Sequence, residues 1–145
     1  MSIVTQRMEL PPLPFRKYRA IPQPVTAVQL QQPEDVPNPF GTEGFYHGEP
    51  GDWKICYGQR ADGSKDVSIC AADIFAQNYE HLGGDQYQKK ANVVIEAAKL
   101  DSPLDIVTLE GPAHGDAGEW LLLGVKDEPY FTDDAYFCTH YTLVD

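Results

Sequence analysis

Apolar and polar positions alternate with a period of two along several short stretches, the pattern of half-buried strands. Val25-Thr26-Ala27-Val28-Gln29-Leu30 is one such stretch, β-branched and bounded by prolines. A second runs from Trp53 to Tyr57 behind the turn residues Pro50-Gly51-Asp52, with Trp53, Ile55 and Tyr57 on one face. Ala61-Asp62-Gly63-Ser64 predicts a hairpin turn, because Gly63 can take positive φ, and a return strand follows near Asp66–Cys70. The spacing then becomes helical over residues 72–84, where Phe75 and Tyr79 stand four apart. Asp73 is the expected N-cap and Gly83-Gly84 the expected stop. Residues 31–49, with Pro33, Pro37, Pro39, Gly41 and Gly44, predict a loop.

The same order of elements recurs. YQKKANVVIEAAKL (87–100) mirrors FRKYRAIPQPVTAVQL (15–30), with a two-residue difference at the front. Gly118-Glu119-Trp120 matches Gly51-Asp52-Trp53, and a shorter turn at Lys126-Asp127-Glu128 leads to Tyr130 and Phe131. DAYFCTHYTLV (134–144) mirrors DIFAQNYEHL, with Phe137 and Tyr141 for Phe75 and Tyr79. Four matches in one order predict an internal duplication. The expected fold class is α+β, dominated by antiparallel sheet, with two pseudo-symmetric hairpin-rich modules that each end in a short aromatic helix. The boundaries are a Pro-rich arm at 1–14, a first module at 15–84 and a second at 85–145. Residues 87–144 are expected to superpose on 15–82 once the loop is excluded.

Half of a 145-residue chain is marginal as a domain, so the modules should share a core or a broad interface. The net charge of −11 repels phosphate backbones and argues against direct nucleic-acid binding. Most of that charge lies in residues 85–145, which makes the second module a match for a basic partner. Met1–Leu10 contains no apolar run, so neither a signal peptide nor a membrane segment is expected. The arm carries Pro11, Pro12, Pro14, Pro22 and Pro24, which keep it extended. Its apolar Leu10, Leu13, Phe15 and Ile21 and its basic Arg16, Lys17 and Arg19 predict docking. The docking surface is either the chain's own acidic second module or that of a neighbouring copy, which would give a homo-oligomer.

PGDWKICYG with ADIFAQNYE, and in the second half VVIEAAKL, AGEWLLLGVKDEPYF and FCTHY, resemble a family of small phage and bacterial proteins. The family takes its name from a Pro-Gly-Asp-Tyr-Gly motif. The second half departs from it at Ala117 and Glu119. The resemblance implies the fold and a phage or prophage ancestry, with a location in the bacterial cytoplasm or on the virion. It implies no catalytic residue.

The candidate chemistry is sparse. His47 and His114 each precede a Gly-Asp/Glu-Trp turn by the same spacing, so pairing with Asp52 and Glu119 would suit proton transfer. The competing reading makes Asp52 and Glu119 turn acids that accept backbone hydrogen bonds. Trp53 and Trp120 could stack a flat ligand, or pack in the core. Cys56 and Cys70 are expected nearly opposite on the hairpin, with Cys138 and His140 together elsewhere. Free thiols without metal or other cofactor are the expectation, because no zinc-site spacing is present. The function expected is therefore a non-enzymatic protein-binding or structural accessory protein, offering the arm and the acidic module to protein partners. Two alternatives stand beside it. One is an acidic decoy for a host nucleic-acid-binding enzyme. The other is a small nucleotide-binding protein or enzyme, which needs a concave pocket with convergent polar groups.

Overall fold

A computed structural model describes residues 4–59 and 65–144, and the expected turn at Ala61–Ser64 lies outside the described residues. The strands in chain order are β1 (Arg16–Ala20), β2 (Val25–Gln29), β3 (Glu34–Pro37), β4 (Phe45–Gly48), β5 (Trp53–Gln59) and β6 (Lys65–Cys70). Helix α1 (Ala72–Asn78) leads into β7 (Tyr79–Gly83) and β8 (Gln86–Lys89). Then come β9 (Val94–Lys99), β10 (Leu104–Thr108), β11 (Gly111–Gly115), β12 (Trp120–Leu123) and β13 (Pro129–Thr132). Helix α2 (Asp134–His140) and β14 (Tyr141–Leu143) close the chain. The fold is α+β and dominated by antiparallel sheet.

The strands form two five-stranded sheets, ordered β6-β5-β2-β8-β7 and β13-β12-β9-β1-β14, and two separate hairpins, β3-β4 and β10-β11. Trp53 lies opposite Gln29 and Cys70, while Trp120 lies opposite Lys99 and Thr132. β1 leaves its sequence neighbours and inserts between β9 and β14, with Tyr18 opposite Ile95 and Leu143. β8 inserts between β2 and β7, with Tyr87 opposite Val25 and His81. The chain therefore crosses between the sheets on both sides of residue 84.

Several local expectations are corrected. The helices do not close their segments: each stops where a tyrosine turns extended to enter a sheet. Tyr79 and Tyr141 cap α1 and α2, donating their amides to the Phe75 and Phe137 carbonyls. Gly83 and Gly84 instead form the β7–β8 turn, where their φ values of 137° and 53° are open to glycine. α1 starts two residues earlier than an Asp73 cap implies, so Ala71 holds the cap position and Asp73 falls in the first turn, accepting from the Ile74 amide. Asp133 does cap α2, accepting from the Tyr136 amide at 2.6 Å. Residues 31–49 are no plain loop, because β3 and β4 pair within them and Pro37 sits at the strand's end. The Lys126-Asp127-Glu128 turn forms, closed by the Gly124 amide on the Glu128 carbonyl at 2.9 Å.

Alternation decides which cluster each side chain joins. Leu122 points into a cluster with Ile95, Ala97, Phe137 and Tyr141, and its neighbour Leu121 points into the largest cluster. That largest cluster draws on both halves of the chain, with Leu30, Val36, Tyr46 and Ile69 against Leu100, Ile106, Leu121 and Phe131. A third cluster joins Val25, Ala27 and Ile55 to Phe75 and Tyr79. Backbone bonds also cross the halves, from the His114 amide to the Phe40 carbonyl at 2.9 Å and from His47 to Glu110 at 3.2 Å.

The arm lies on the chain's own second half. Arg7 donates to both Glu96 oxygens at 2.9 and 2.6 Å, and Thr5 exchanges two bonds with Val107. Leu10, Leu13 and Phe15 pack against the shared cluster. Arg16, Lys17 and Arg19 are exposed on β1, with Lys17 facing Glu96 across the ladder. No helix among the described residues is long and apolar enough to cross a membrane.

Candidate functional site

The two candidate histidines, His47 and His114, stand on the two separate hairpins. His47, on β4, bonds Asp35 at 2.6 Å through Nδ1 and Glu49 at 2.5 Å through Nε2. His114, on β11, bonds Asp105 at 2.7 Å and Asp116 at 2.8 Å in the same manner. A carboxylate at each nitrogen offers only acceptors, which favours the doubly protonated ring. The bonds to Asp35 and Asp105, then those to Glu49 and Asp116, raise both histidine pKa values above the ordinary range. Asp52 and Glu119 are not their partners. They accept from the Glu49 and Asp116 amides at 3.0 and 2.7 Å, which is the turn-acid role. These are exposed ion pairs, each set held around one hairpin.

The tryptophans are half-buried and already stacked by the protein's own rings. Trp53 lies 4.1 Å from Phe75, nearly parallel, with the Tyr87 edge at 5.3 Å. Trp120 lies 3.9 Å from Phe137, with the Tyr18 edge at 5.7 Å, and its indole N–H donates to Asp134 at 2.8 Å. The cysteines are free thiols, and Cys56 and Cys70 are not opposite: their partners across the ladder are Val67 and Trp53. Cys138 turns to Asp134, whereas His140 stacks on Tyr136 at 3.8 Å. No three His, Cys, Asp or Glu side chains among the described residues are grouped to hold a metal ion.

The concave site lies elsewhere, where β6 and α1 face β13 and α2. There a cavity of about 130 Å³ is walled by both halves of the chain. Tyr57 and Tyr79 line it from the first half, and Tyr130, Tyr136 and Tyr141 from the second. Tyr57 is the extra residue of a β-bulge before Gly58, and its hydroxyl meets Ser68 Oγ at 2.9 Å. The Lys89 ammonium reaches across from β8, donating to the Tyr141 hydroxyl and lying 4.7 Å over that ring. The Tyr130 hydroxyl is 3.4 Å from the same oxygen.

Two acceptors in this wall stand without donors among the described residues. Asn78, only 7% exposed at the end of α1, has a buried Oδ1 with no hydrogen-bond partner. Glu110 sits in the tight turn between β10 and β11, half-buried, with no hydrogen bond to its carboxyl among the described residues. Burial, then the charges of Asp52 and Glu128, push that carboxyl up to about 8. Burial likewise lifts the Tyr57, Tyr79 and Tyr130 hydroxyls and pushes the Cys70 thiol up to about 12, so these groups stay neutral.

None of His47, Asp52, His114, Glu119, Arg16, Lys17, Arg19, Trp53 or Trp120 lines this cavity. Sequence reasoning missed Asn78, Lys89, Glu110 and Tyr130. A turn acid in Leu109-Glu110-Gly111 looks solvent-facing until the two halves close over it. The excess of tyrosine, eight residues, was the available signal. No protein-family model, curated protein or solved structure matches the chain.

Proposed function

We propose that the chain is a non-enzymatic binding protein, made of two fused copies of one module, that holds a small molecule in the cavity at their junction. The duplication is supported by the two strand orders, which become identical when β8 and β1 are taken as equivalent opening strands exchanged between copies. The aromatic quartets Trp53-Phe75-Tyr79-Tyr87 and Trp120-Phe137-Tyr141-Tyr18 support it too, as do the paired histidine clamps. Under this alignment Tyr87 corresponds to Tyr18 rather than Phe15. The hairpin and helix resemblance favours a phage or prophage accessory role.

The observation that carries the binding reading is the cavity lined by Glu110 and by Asn78, whose buried Oδ1 has no hydrogen-bond partner among the described residues. Pockets that combine aromatic walls with a few aimed polar groups are the usual form of a small-ligand site. Against catalysis, the cavity's thiol and phenols are held neutral, and a neutral thiol or phenol is a poor nucleophile. The arm supports the protein-partner reading less, because its Arg7 and apolar residues are engaged with the chain's own second half. The decoy reading loses support because the matched acid pairs are turned onto histidines.

A fragment screen by protein-observed NMR tests the reading. Binding fragments should shift Asn78, Glu110 and Tyr130 signals, and Ala71→Leu, which fills the cavity wall, should abolish those shifts. Shifts confined to the outer surface, or unaltered by Ala71→Leu, would count against it.

A further inference from the structure

We infer that the junction cavity selects a compact, flat organic cation bearing N–H donors, such as an amidinium or a protonated ring nitrogen, with Glu110 and Asn78 as its acceptors. This rests on the binding reading above and adds the chemical class.

Size comes first. The cavity of about 130 Å³ is close to the roughly 150 Å³ of an engineered apolar cavity that takes benzene, so one ring with a small substituent fits. The walls come next. Phe40, Tyr57, Tyr79, Phe131 and Tyr141 line it, and the negative face of a π system attracts cations, as Lys89 over the Tyr141 ring illustrates. Hydrogen-bond stoichiometry then decides polarity. Asn78 Oδ1 and the Glu110 carboxyl have no donor among the described residues, and Glu128 lines the same space with one oxygen engaged by the Lys126 amide. Lys89, the one cation in the described wall, is held by Tyr141. Once Glu110 gives up its proton the site has surplus acceptors, which suits a ligand that brings donors. An anion would meet the carboxyl groups of Glu110, Glu128 and Asp133. A hydrocarbon would leave the buried Asn78 Oδ1 unsatisfied, a costly arrangement once water is excluded.

The charge on Glu110 is set by its surroundings. Asp52 before β5 and Glu128 before β13 disfavour its ionisation, and Tyr46 of β4 and Cys70 of β6 lie within its electrostatic reach. Lys89 of β8 acts on Cys70 in the same wall. A bound cation adds the missing positive charge, so Glu110 must release its proton as the ligand enters. Affinity for the cation should therefore climb about tenfold per pH unit below the free carboxyl's midpoint and level off above it.

Isothermal titration of the full chain tests this with four probes of similar shape: benzamidine, benzamide, benzoate and toluene. Benzamidine should bind tightest. At pH 6.5 its binding should release close to one proton, measured by repeating the titration in buffers of different ionisation enthalpy. Glu110→Gln should weaken benzamidine by tenfold or more and abolish the proton release, while leaving benzamide within threefold. Benzamide or toluene binding as well as benzamidine, or binding without proton release, overturns the cation assignment and leaves the cavity reading standing. If no probe binds and the fragment screen also finds nothing in the cavity, the binding reading fails with it.

Discussion

Glu110→Gln removes one charge from the junction and changes almost no volume. The folded carboxyl titrates near 8 against an ordinary value of 4.5, a displacement of about 3.5 pH units. The sign follows from linkage. A pKa raised by folding means that the native state holds the proton more tightly, so the stabilisation is complete below about 4.5 and is lost as pH rises through 8. At about 1.4 kcal/mol per unit, wild type should lose about 3 kcal/mol by pH 7 and about 5 kcal/mol by pH 9. Those losses are large against a total stability of about 5–15 kcal/mol. Glutamine cannot ionise, so Glu110→Gln should equal wild type within about 1 kcal/mol at pH 4 and exceed it progressively above pH 5. Urea unfolding at half-unit intervals from pH 4 to 9 reads the difference directly, and other titrating groups cancel in it. Parallel wild-type and variant curves would refute the reasoning, because they would place Glu110 in solvent with an ordinary carboxyl.

Four further outcomes follow. Phe137→Ala removes a ring that is 3% exposed between Trp120 and Tyr141, and it should cost about 3–5 kcal/mol by urea unfolding. Deleting residues 1–14 removes Arg7 from Glu96 and uncovers the shared cluster, so the melting temperature should fall while the oligomeric state by light scattering is unchanged. Fragments 1–84 and 85–145 should each lack cooperative unfolding and regain it when mixed, because each sheet lacks one strand without the other fragment. Replacing His47 and His114 by glutamine should remove stability that is present below about pH 6.5 and lost as pH rises through the raised folded values, a change visible as a flatter profile above neutrality.

The parts of the fold legible in the sequence were those governed by near neighbours. Period-two alternation placed β2, β5 and β6, and the Gly-Asp-Trp and Gly-Glu-Trp turns fixed where β5 and β12 begin. Phe75 and Phe137 declared their helices by local spacing. Tyr79 and Tyr141 also have helical spacing, yet pairing with Lys89 and Ala20 pulls them extended, and nothing within four residues signals that. The β3–β4 hairpin was hidden by its prolines and glycines, which look like loop until Val36 and Tyr46 bury against the shared cluster. The cavity was illegible for the same reason. Asn78, Lys89, Glu110 and Tyr130 become neighbours only through contacts between elements far apart in the chain, and a carboxyl at a turn carries no local sign of burial.

The position of β1 between β9 and β14 has a consequence for how the molecule is made. Every strand of the β6-β5-β2-β8-β7 sheet lies within residues 25–89, so that sheet can close while the rest is still being synthesised. β1 leaves the ribosome before any of them and finds its last partner 125 residues later, when Leu143 reaches Tyr18. At about 5–20 residues per second the wait is roughly 6–25 s. Until β9 is made, about 80 residues on, β1 has two open edges, and one edge stays open until β14 arrives, a form prone to join a strand of another chain. Arg16, Lys17 and Arg19 occupy three of its five positions and stay exposed even in the finished fold. Their mutual repulsion would keep waiting strands on neighbouring nascent chains apart, while the acidic half still to come is attracted to them. On this view the basic stretch near the N-terminus is a chaperoning device written into the strand it protects.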